Sequence, residues 1–373
     1  MKKIVIDGRM YQQSGIGRYI RNLINQLQRL DKDNEYFILL LDKNFEPDMY
    51  QSNFKKVLAN FGWYGISEQF TLPKLLKEIK PNLVHFPHFN VPIFYKDKFV
   101  VTIHDLIHQH FQMKRATTND PVTYQIKQFG YDLVFKNAIN KSVKILVPSK
   151  FVKDQLVKGW KVDNKKIVIT HEAVDDKIFT IANKMSQERI DGVMEKFNIR
   201  VPYIFYVGNA HPHKNVEGLI QAFLKLKERY PKLALVLSGQ DHYFWQRIKR
   251  EYQYDGIIYT GYVSDEMLVA LYKNASCFVM PSFEEGFGIP LLEAMACGCP
   301  VVSSNAGALG EVGGTACIYF DPAKPDDMGD QIDRVLNNVD LRNELIRKGQ
   351  KRYKQFSWEK LTKQTLEVYK QCA

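Results

Sequence analysis

The feature that most constrains this chain is an alternation that runs its course and then begins again. Short apolar or β-branched runs at residues 2–7, 36–41, 83–85, 99–103 and 144–147 alternate with amphipathic stretches. The clearest of these is a helix from about residue 18 to 30, with Ile20, Leu23, Ile24, Leu27 and Leu30 on one face; residues 71–79 read as another. Near-continuous apolar strands separated by helices belong to a parallel sheet covered on both faces. The pattern restarts at residues 203–207, continues through a helix at about 216–229, and then runs through strands at 233–237, 256–259, 277–280, 300–303 and 317–320. No self-similar sequence period accompanies the restart, so what repeats is architecture. Two doubly wound α/β domains are expected, 1–184 and 185–356, parted in the polar stretch 182–200, with a ligand cleft between them.

Composition supports this frame and removes others. A chain of 373 residues, 45% hydrophobic and 25% charged, is long enough for two cores and is neither disordered, collagenous nor a coiled coil. No run of about 18 apolar residues is present to span a bilayer. The opening MKKIVIDGRM is interrupted by Asp7 and Arg9 before a signal-peptide core can form, so a cytoplasmic location is expected. Cys277, Cys297, Cys299, Cys317 and Cys372 form neither zinc-type pairs nor a disulfide framework and read as buried small residues in a reducing compartment. The net charge of +11 is one-sided: residues 1–185 hold 29 Lys and Arg against 18 Asp and Glu, whereas residues 186–373 hold 23 of each. Such a surface suits nucleic acid, anionic lipid or a phosphate-bearing substrate, or is simply a lysine-rich solvated face.

The most informative segment is PSFEEGFGIPLLEAMACGCPVV, residues 281–302. A short strand ends in a loop containing Glu284, Glu285, Gly286 and Gly288, and Pro290 stands where a helix tolerates it, at the first position. The helix runs to about Ala296 and stops at Gly298. A glycine loop feeding a helix N-terminus gathers free backbone N–H groups and partial positive charge, which suits a phosphate. Glu293 is expected in the first helical turn, where it can accept hydrogen bonds from sugar or ribose hydroxyls. The bland reading is a pair of carboxylates stabilising a helix start, worth about 0.3–1 kcal/mol each. Elsewhere, His104 falls at the C-terminal end of a strand, where ligands of open parallel sheets bind, with Asp105 beside it. His85, His88, His108 and His110 have no familiar ligand spacing, and no metal is expected.

The 281–302 string resembles the E-x7-E signature of family-4 retaining glycosyltransferases of the GT-B fold. Matching segments run along nearly the whole chain: Gly15-Ile16-Gly17-Arg18, Ile103-His104-Asp105-Leu106, Val147-Pro148-Ser149, His171-Glu172-Ala173-Val174-Asp175, Val207-Gly208 through Lys214-Asn215, and Phe356-Ser357-Trp358. The resemblance implies two Rossmann-like domains and retaining transfer of a sugar from a nucleotide diphosphate donor held mainly by the second. It further implies that Glu293 holds the ribose, that Glu285 with the backbone of Gly286, Phe287 and Gly288 holds the sugar, and that N–H groups near Ile289 meet the diphosphate. Lys214 would neutralise the departing phosphate. Relatives often carry an arginine near the position of Asn209, which this chain lacks, leaving the task to His211 or His213, or to Lys214 and the helix dipole alone. By the same resemblance His104 contacts a sugar, Gly15 and Gly17 let backbone approach a phosphate, and Arg18 helps to hold it. A closing helix at about 358–371 would cross back onto the first domain, placing 357–373 with it.

The G-x-G of Gly15 and Gly17 also admits a dinucleotide reading, with Asp42 closing a second strand, but Ile20 stands where that fingerprint needs its third glycine. The acceptor would be met by the basic first domain, with Trp63 and Tyr64 of the aromatic stretch 61–64 as a sugar platform or a packed loop. Segments 54–59 and 124–135 read as helices that set lysines beside apolar residues, which suits peripheral contact with anionic lipid at the inner face of the plasma membrane. The expected partners are a nucleotide-diphosphate sugar donor and a saccharide or lipid-linked acceptor, with no cofactor and no nucleic acid. Mannose from GDP-mannose, for a surface polysaccharide or lipopolysaccharide, is the first expectation, and UDP-sugar donors are the alternative. A nucleotide-sugar epimerase would need no acceptor. A nucleic-acid-binding protein draws only on the basic charge.

Overall fold

The computed structural model describes residues 1–13, 15–41, 49, 51–107 and 121–373, with side chains of 121–128 excepted. The described residues divide into two compact units, one made of residues up to 106 with 121–172 and 357–373, the other of residues 173–356 together with Ile107.

The first unit contains β1 (Lys3–Asp7), α1 (Gly15–Leu30), β2 (Glu35–Leu40), β3 (Phe54–Leu58), α2 (Glu68–Ile79), β4 (Leu83–Phe86), β5 (Phe99–Thr102), α3 (Pro121–Lys141), β6 (Lys144–Val147), α4 (Lys150–Trp160) and β7 (Ile167–Ile169). Its seven strands are all parallel, in the order β3-β2-β1-β4-β5-β6-β7. Strand order therefore reverses between β1 and β4. Val5 packs in one cluster with Leu72 and Leu76 of α2, Phe135 and Ile139 of α3, and Val152 and Leu156 of α4. Its neighbours Ile4 and Ile6, which face the other side by the two-residue strand period, are also fully buried.

The second unit contains α5 (Asp176–Lys184), α6 (Gln187–Lys196), β8 (Tyr203–Val207), α7 (Val216–Arg229), β9 (Ala234–Ser238), α8 (Tyr243–Glu251), β10 (Ile257–Gly261), α9 (Asp265–Asn274), β11 (Cys277–Met280), α10 (Ile289–Ala296), β12 (Val301–Ser304), α11 (Leu309–Gly313), β13 (Cys317–Phe320), α12 (Pro325–Asn337) and α13 (Val339–Arg352). Its six parallel strands are ordered β10-β9-β8-β11-β12-β13, so here the order reverses between β8 and β11. Because this unit opens at Ala173, α5 belongs to it and packs on α9.

The closing helix α14 (Trp358–Cys372) belongs to the first unit and lies against α1. Ser357 caps it, accepting from the Lys360 N–H at 3.1 Å. It is fastened from within: the Tyr369 hydroxyl lies 2.6 Å from His85 Nδ1, and His85 Nε2 lies 2.8 Å from Thr102 Oγ1, which also meets the Tyr19 hydroxyl at 3.1 Å. Burial, and then the charge of His104, push the His85 pKa down to about 3. All five cysteines are buried free thiols; burial pushes Cys277, Cys297 and Cys317 up to about 12. No helix among the described residues is long and apolar enough to cross a membrane.

Two local expectations are corrected. Residues 54–58 form the edge strand β3 rather than a helix, with Phe54 buried and Lys55 and Lys56 exposed. The apolar positions Phe54, Val57 and Leu58 fit helical spacing, but five residues are too few to separate the two periods. Helix α1 begins at Gly15 rather than near Arg18. A Cβ on Gly17 would lie 2.5 Å from the Tyr11 carbonyl oxygen and 2.9 Å from that of Met10, so the missing side chain lets the first turn sit directly on this backbone.

Candidate functional site

In open α/β sheets, ligands bind beyond the carboxyl ends of the strands, where strand order reverses. Each unit has one such point, and each carries a buried ion pair.

In the second unit the chain leaves β8 at Val207, makes a single 3-10 turn at Pro212–Lys214, and enters α7 through Asn215. Asn215 adopts the left-handed conformation and donates through Nδ2 to the Pro281 and Pro322 carbonyls, at 3.1 and 2.9 Å. Those bonds tie the segment after β8 to the ends of β11 and β13. The Phe283 N–H donates to the His213 carbonyl at 2.7 Å and completes the seam. Across it Lys214 Nζ donates to Glu285 Oε1 at 2.6 Å, and Ser282 Oγ donates to the same oxygen at 2.6 Å. The lysine side chain is 17% exposed and the glutamate 9%, so the pair is mostly withdrawn from water while its rim stays open.

Two glycines fix this loop. Gly288 caps α10 at φ +97°, where a Cβ would come 2.6 Å from Leu309 Cδ2. Gly307 has φ +61°, and a Cβ there would stand 2.6 Å from the Glu285 nitrogen and 2.7 Å from its carbonyl oxygen. The Ala308 N–H donates to that same Glu285 oxygen at 3.0 Å. Glu293 is the fifth residue of α10 and so lies in the second turn rather than the first. It is 3% exposed and accepts from the Tyr272 hydroxyl at 3.3 Å. Phe287 is buried, its ring 5.6 Å from that of Phe356. Asn209 follows β8, its carbonyl accepting from the Tyr206 hydroxyl at 2.6 Å. His211 stacks near His213 at 5.9 Å and contacts Phe244 at 4.6 Å.

In the first unit the reversal point is built around Arg9, directly after β1. Its guanidinium donates to Asp7 at 2.9 and 2.7 Å and to Glu68 Oε1 at 2.5 Å. Glu68, at the start of α2, is fully buried; it accepts further from Asn90 Nδ2 at 2.9 and 2.8 Å and from the Tyr64 N–H at 2.9 Å. Burial raises the Glu68 carboxyl pKa against the opposing pull of Arg9 and Asn90. Arg9 Nη1 is buried with no hydrogen-bond partner. Arg9 lines a small pocket with Asp7, Ile16, Trp63, His88 and Asn90. Tyr64 stands beside it at φ +64°, its hydroxyl 3.4 Å from the His88 ring nitrogens.

His104 lies two residues past β5. Its Nδ1 is 2.8 Å from Glu172 Oε1 and its Nε2 is 2.9 Å from the Pro87 carbonyl oxygen. A carboxylate and a carbonyl only accept, so a ring engaged with both donates from both nitrogens and is an imidazolium. Burial alone would lower its pKa; the Glu172 hydrogen bond and charge, the Pro87 carbonyl and Asp105 outweigh burial and raise it.

The structure thus brings Lys214 and Glu285 into contact and sets Gly286, Phe287, Gly288 and Ile289 in the same loop and helix start. Glu293 is turned against Tyr272. Trp63 and Tyr64 join one cluster, whereas Gly15, Gly17 and Arg18 lie in the first turn of α1 and do not line its pocket. Asp42, His108 and His110 lie outside the described residues. Among those described, no group of three or more His, Cys, Asp or Glu is placed to hold a metal ion. Sequence reading missed the Asp7–Arg9–Glu68–Asn90 network. Its one available signal was a charged pair, Asp7 and Arg9, closing an otherwise apolar first strand.

Comparisons with known proteins agree with this layout. Residues 13–177 match the family described as Glycosyltransferase Family 4, and residues 193–352 match Glycosyl transferases group 1. O-antigen chain mannosyltransferase B of Escherichia coli is 31% identical over 385 residues, covering 96% of this chain and 97% of that protein. A glycosyltransferase crystal structure from Rickettsia africae superposes with a TM-score of 0.75 at 20% identity, over 100% of this chain and 98% of the other. The Anabaena protein HepE, in complex with UDP and glucose, gives 0.73 at 15% identity over 99% of each. At such identities the two structures bear on fold alone, and that fold is the GT-B class with its two parallel-sheet α/β domains. With the family matches and the full-length relative, the conclusion is direct: the chain belongs to glycosyltransferase family 4.

Proposed function

We propose that this glycosyltransferase moves mannose from GDP-mannose, with retention of anomeric configuration and without a metal, onto a saccharide or lipid-linked acceptor of a surface polysaccharide. The observation that carries the reading is the Lys214–Glu285 pair at the reversal point of the second sheet. A fixed cation there opposes charge developing on a departing diphosphate, and fixed charges act most strongly where water is excluded. Glu285 orients the lysine before the donor arrives and offers its second oxygen to a sugar hydroxyl. Glu293, held by Tyr272, is the ribose ligand. The backbone of Gly286, Phe287, Gly288 and Ile289 meets the sugar and the diphosphate, with Asn209 beside them.

The chemistry proposed is substitution on the face that the leaving group occupies. The bond from the anomeric carbon to the diphosphate oxygen breaks, the acceptor oxygen bonds to that carbon, and the leaving phosphate takes the acceptor proton. The acceptor is assigned to the first unit, where Trp63 and Tyr64 form a platform beside the Arg9 cluster. His104 contributes positive charge with Asp105 next to it, and Arg18, Gly15 and Gly17 are assigned to phosphate contact. The mannose assignment rests on the full-length relative, an O-antigen chain mannosyltransferase. Peripheral contact with anionic lipid is supported by the basic first half and by exposed Ile66, Phe70 and Phe94, the two phenylalanine rings lying 5.0 Å apart.

Calorimetric titration with GDP, UDP, dTDP and ADP, with and without EDTA, tests the donor. GDP-selective binding that ignores EDTA is the expected result. UDP selectivity would replace mannose with a UDP-linked sugar, and binding abolished by EDTA would overturn metal independence.

A further inference from the structure

The second sheet carries a cavity at the end opposite Lys214 and Glu285. It forms where strands begin and helices finish: Pro202 precedes β8, Leu233 precedes β9, Ser276 precedes β11 and Pro300 precedes β12, and all four line it. Its volume is about 760 Å³, within the roughly 300–1,000 Å³ typical of small-molecule sites. A five-residue strand at about 3.3 Å per residue sets it roughly 15 Å from the donor loop, too far for the donor itself to fill it.

The wall has two characters. Leu233, Leu336 and Ile346 with the neighbouring prolines are apolar, while Arg229, Lys232, Lys273 and Arg342 supply four cations; among the described residues no carboxylate lines it. Cations at this edge have a structural use, because α7, α9, α10 and α12 all end here and each C-terminus carries roughly half a negative charge. Arg342 Nη1 serves it directly, donating to the Val335 and Leu336 carbonyls at 2.8 and 2.7 Å. Lys273 donates to the Ala182 carbonyl at 3.2 Å, and Arg229 pairs with Asp333 at 3.3 Å. Lys232 is different: it is exposed in the turn between α7 and β9 and is not part of a helix end. Four termini supply roughly two negative charges and Asp333 adds one more, so the four cations leave about one positive charge uncompensated, and exposed Lys232 is the one that no helix end engages.

We propose that this cavity binds a phosphate ester with an apolar body, the phosphate meeting Lys232, Lys273 and the outer nitrogens of Arg229 and Arg342, and the apolar part lying on Leu233, Leu336 and Ile346. Several cations around one pocket match a phosphate dianion better than a single carboxylate. The ester is either a soluble metabolite or the headgroup of a lipid.

The test is calorimetric titration of the full chain with octyl phosphate, with octyl glucoside as the uncharged control. Saturable binding of octyl phosphate alone is expected, equal in wild type and Lys214→Ala, and at least about tenfold weaker in the double variant Lys232→Glu, Lys273→Glu. Equality in Lys214→Ala separates this site from the donor site, so either reading can fail without the other. A thermal melt confirms that the double variant is folded, and Lys232→Glu alone, at an exposed position, provides a second variant. Co-sedimentation with phosphatidylglycerol vesicles distinguishes the sources: sedimentation lost in the double variant assigns a lipid headgroup, and sedimentation unchanged by it assigns a soluble ester. Absence of saturable octyl phosphate binding, or equal affinity in the double variant, would overturn the proposal.

Discussion

The two strand-order reversals can be set side by side, because they are the same feature of two parallel sheets filled in different ways. At β8/β11 one cation meets one carboxylate, and the pair is mostly withdrawn from water but open at its rim. At β1/β4 one guanidinium lies between two carboxylates, with Arg9 at 2% and Glu68 at 0% side-chain exposure, and one nitrogen is left without a partner. The first arrangement leaves its charges available to a ligand. The second is built into the core and reaches its pocket only at one edge. Removing a charge should therefore mainly cost turnover in the second unit and mainly cost stability in the first.

The largest expected effect is on catalysis. Lys214→Ala should lower kcat/KM by about 10³-fold, the loss typical of deleting one preorganised electrostatic contact, while the midpoint of thermal unfolding moves by only a few degrees. Steady-state kinetics beside a calorimetric melt would check both halves; a variant that unfolds but, where folded, turns over normally would break the comparison. Arg9→Met should do the reverse. It leaves Glu68 buried and Asp7 half-buried without their counter-charge, at a cost of about 3–5 kcal/mol, readable by urea unfolding. Full stability in that variant would mean that Glu68 is held neutral and the cluster is not an ion pair.

A smaller effect belongs to Gly307→Ala. The left-handed backbone and the 2.6 Å approach to Glu285 both resist a methyl group, at about 1–3 kcal/mol, and the shift should displace Glu285. Donor KM is expected to rise while acceptor KM holds, so equal changes in both would place Glu285 outside the donor site. Trp63→Ala should give the mirror image, with a raised acceptor KM and an unchanged donor KM.

The smallest effect is a pH slope. The His104 pKa is raised in the folded chain, so its pairing with Glu172 stabilises fully below the unfolded histidine value near 6.5 and fades as pH climbs through the folded value. The stability difference between wild type and Glu172→Gln should accordingly shrink from pH 6 to pH 8. A difference that grows over that range would mean the imidazole is neutral.

The same comparison explains what was legible in the sequence. Glu285, Gly288, Pro290 and Glu293 lie within nine consecutive residues, so strand end, loop and helix start could be read together, and the second sheet's strands were found at nearly their observed places. Arg9 and Glu68 are 59 residues apart and Asn90 follows 22 later, so only the fold assembles them. Edge strands β3 and β7 escaped for a related reason. Phe54–Leu58 carries two lysines in five residues and Ile167–Ile169 has only three, too short for periodicity to speak. Spacing likewise gave His104 a place at a strand end but not its two acceptors, which come from residues 87 and 172.

The most direct test of the division between the two reversal points is calorimetric binding of GDP to wild type, Lys214→Ala and Trp63→Ala. Binding by wild type and Trp63→Ala with loss in Lys214→Ala is the predicted result. Undiminished binding by Lys214→Ala would contradict it and remove the donor from the β8/β11 reversal.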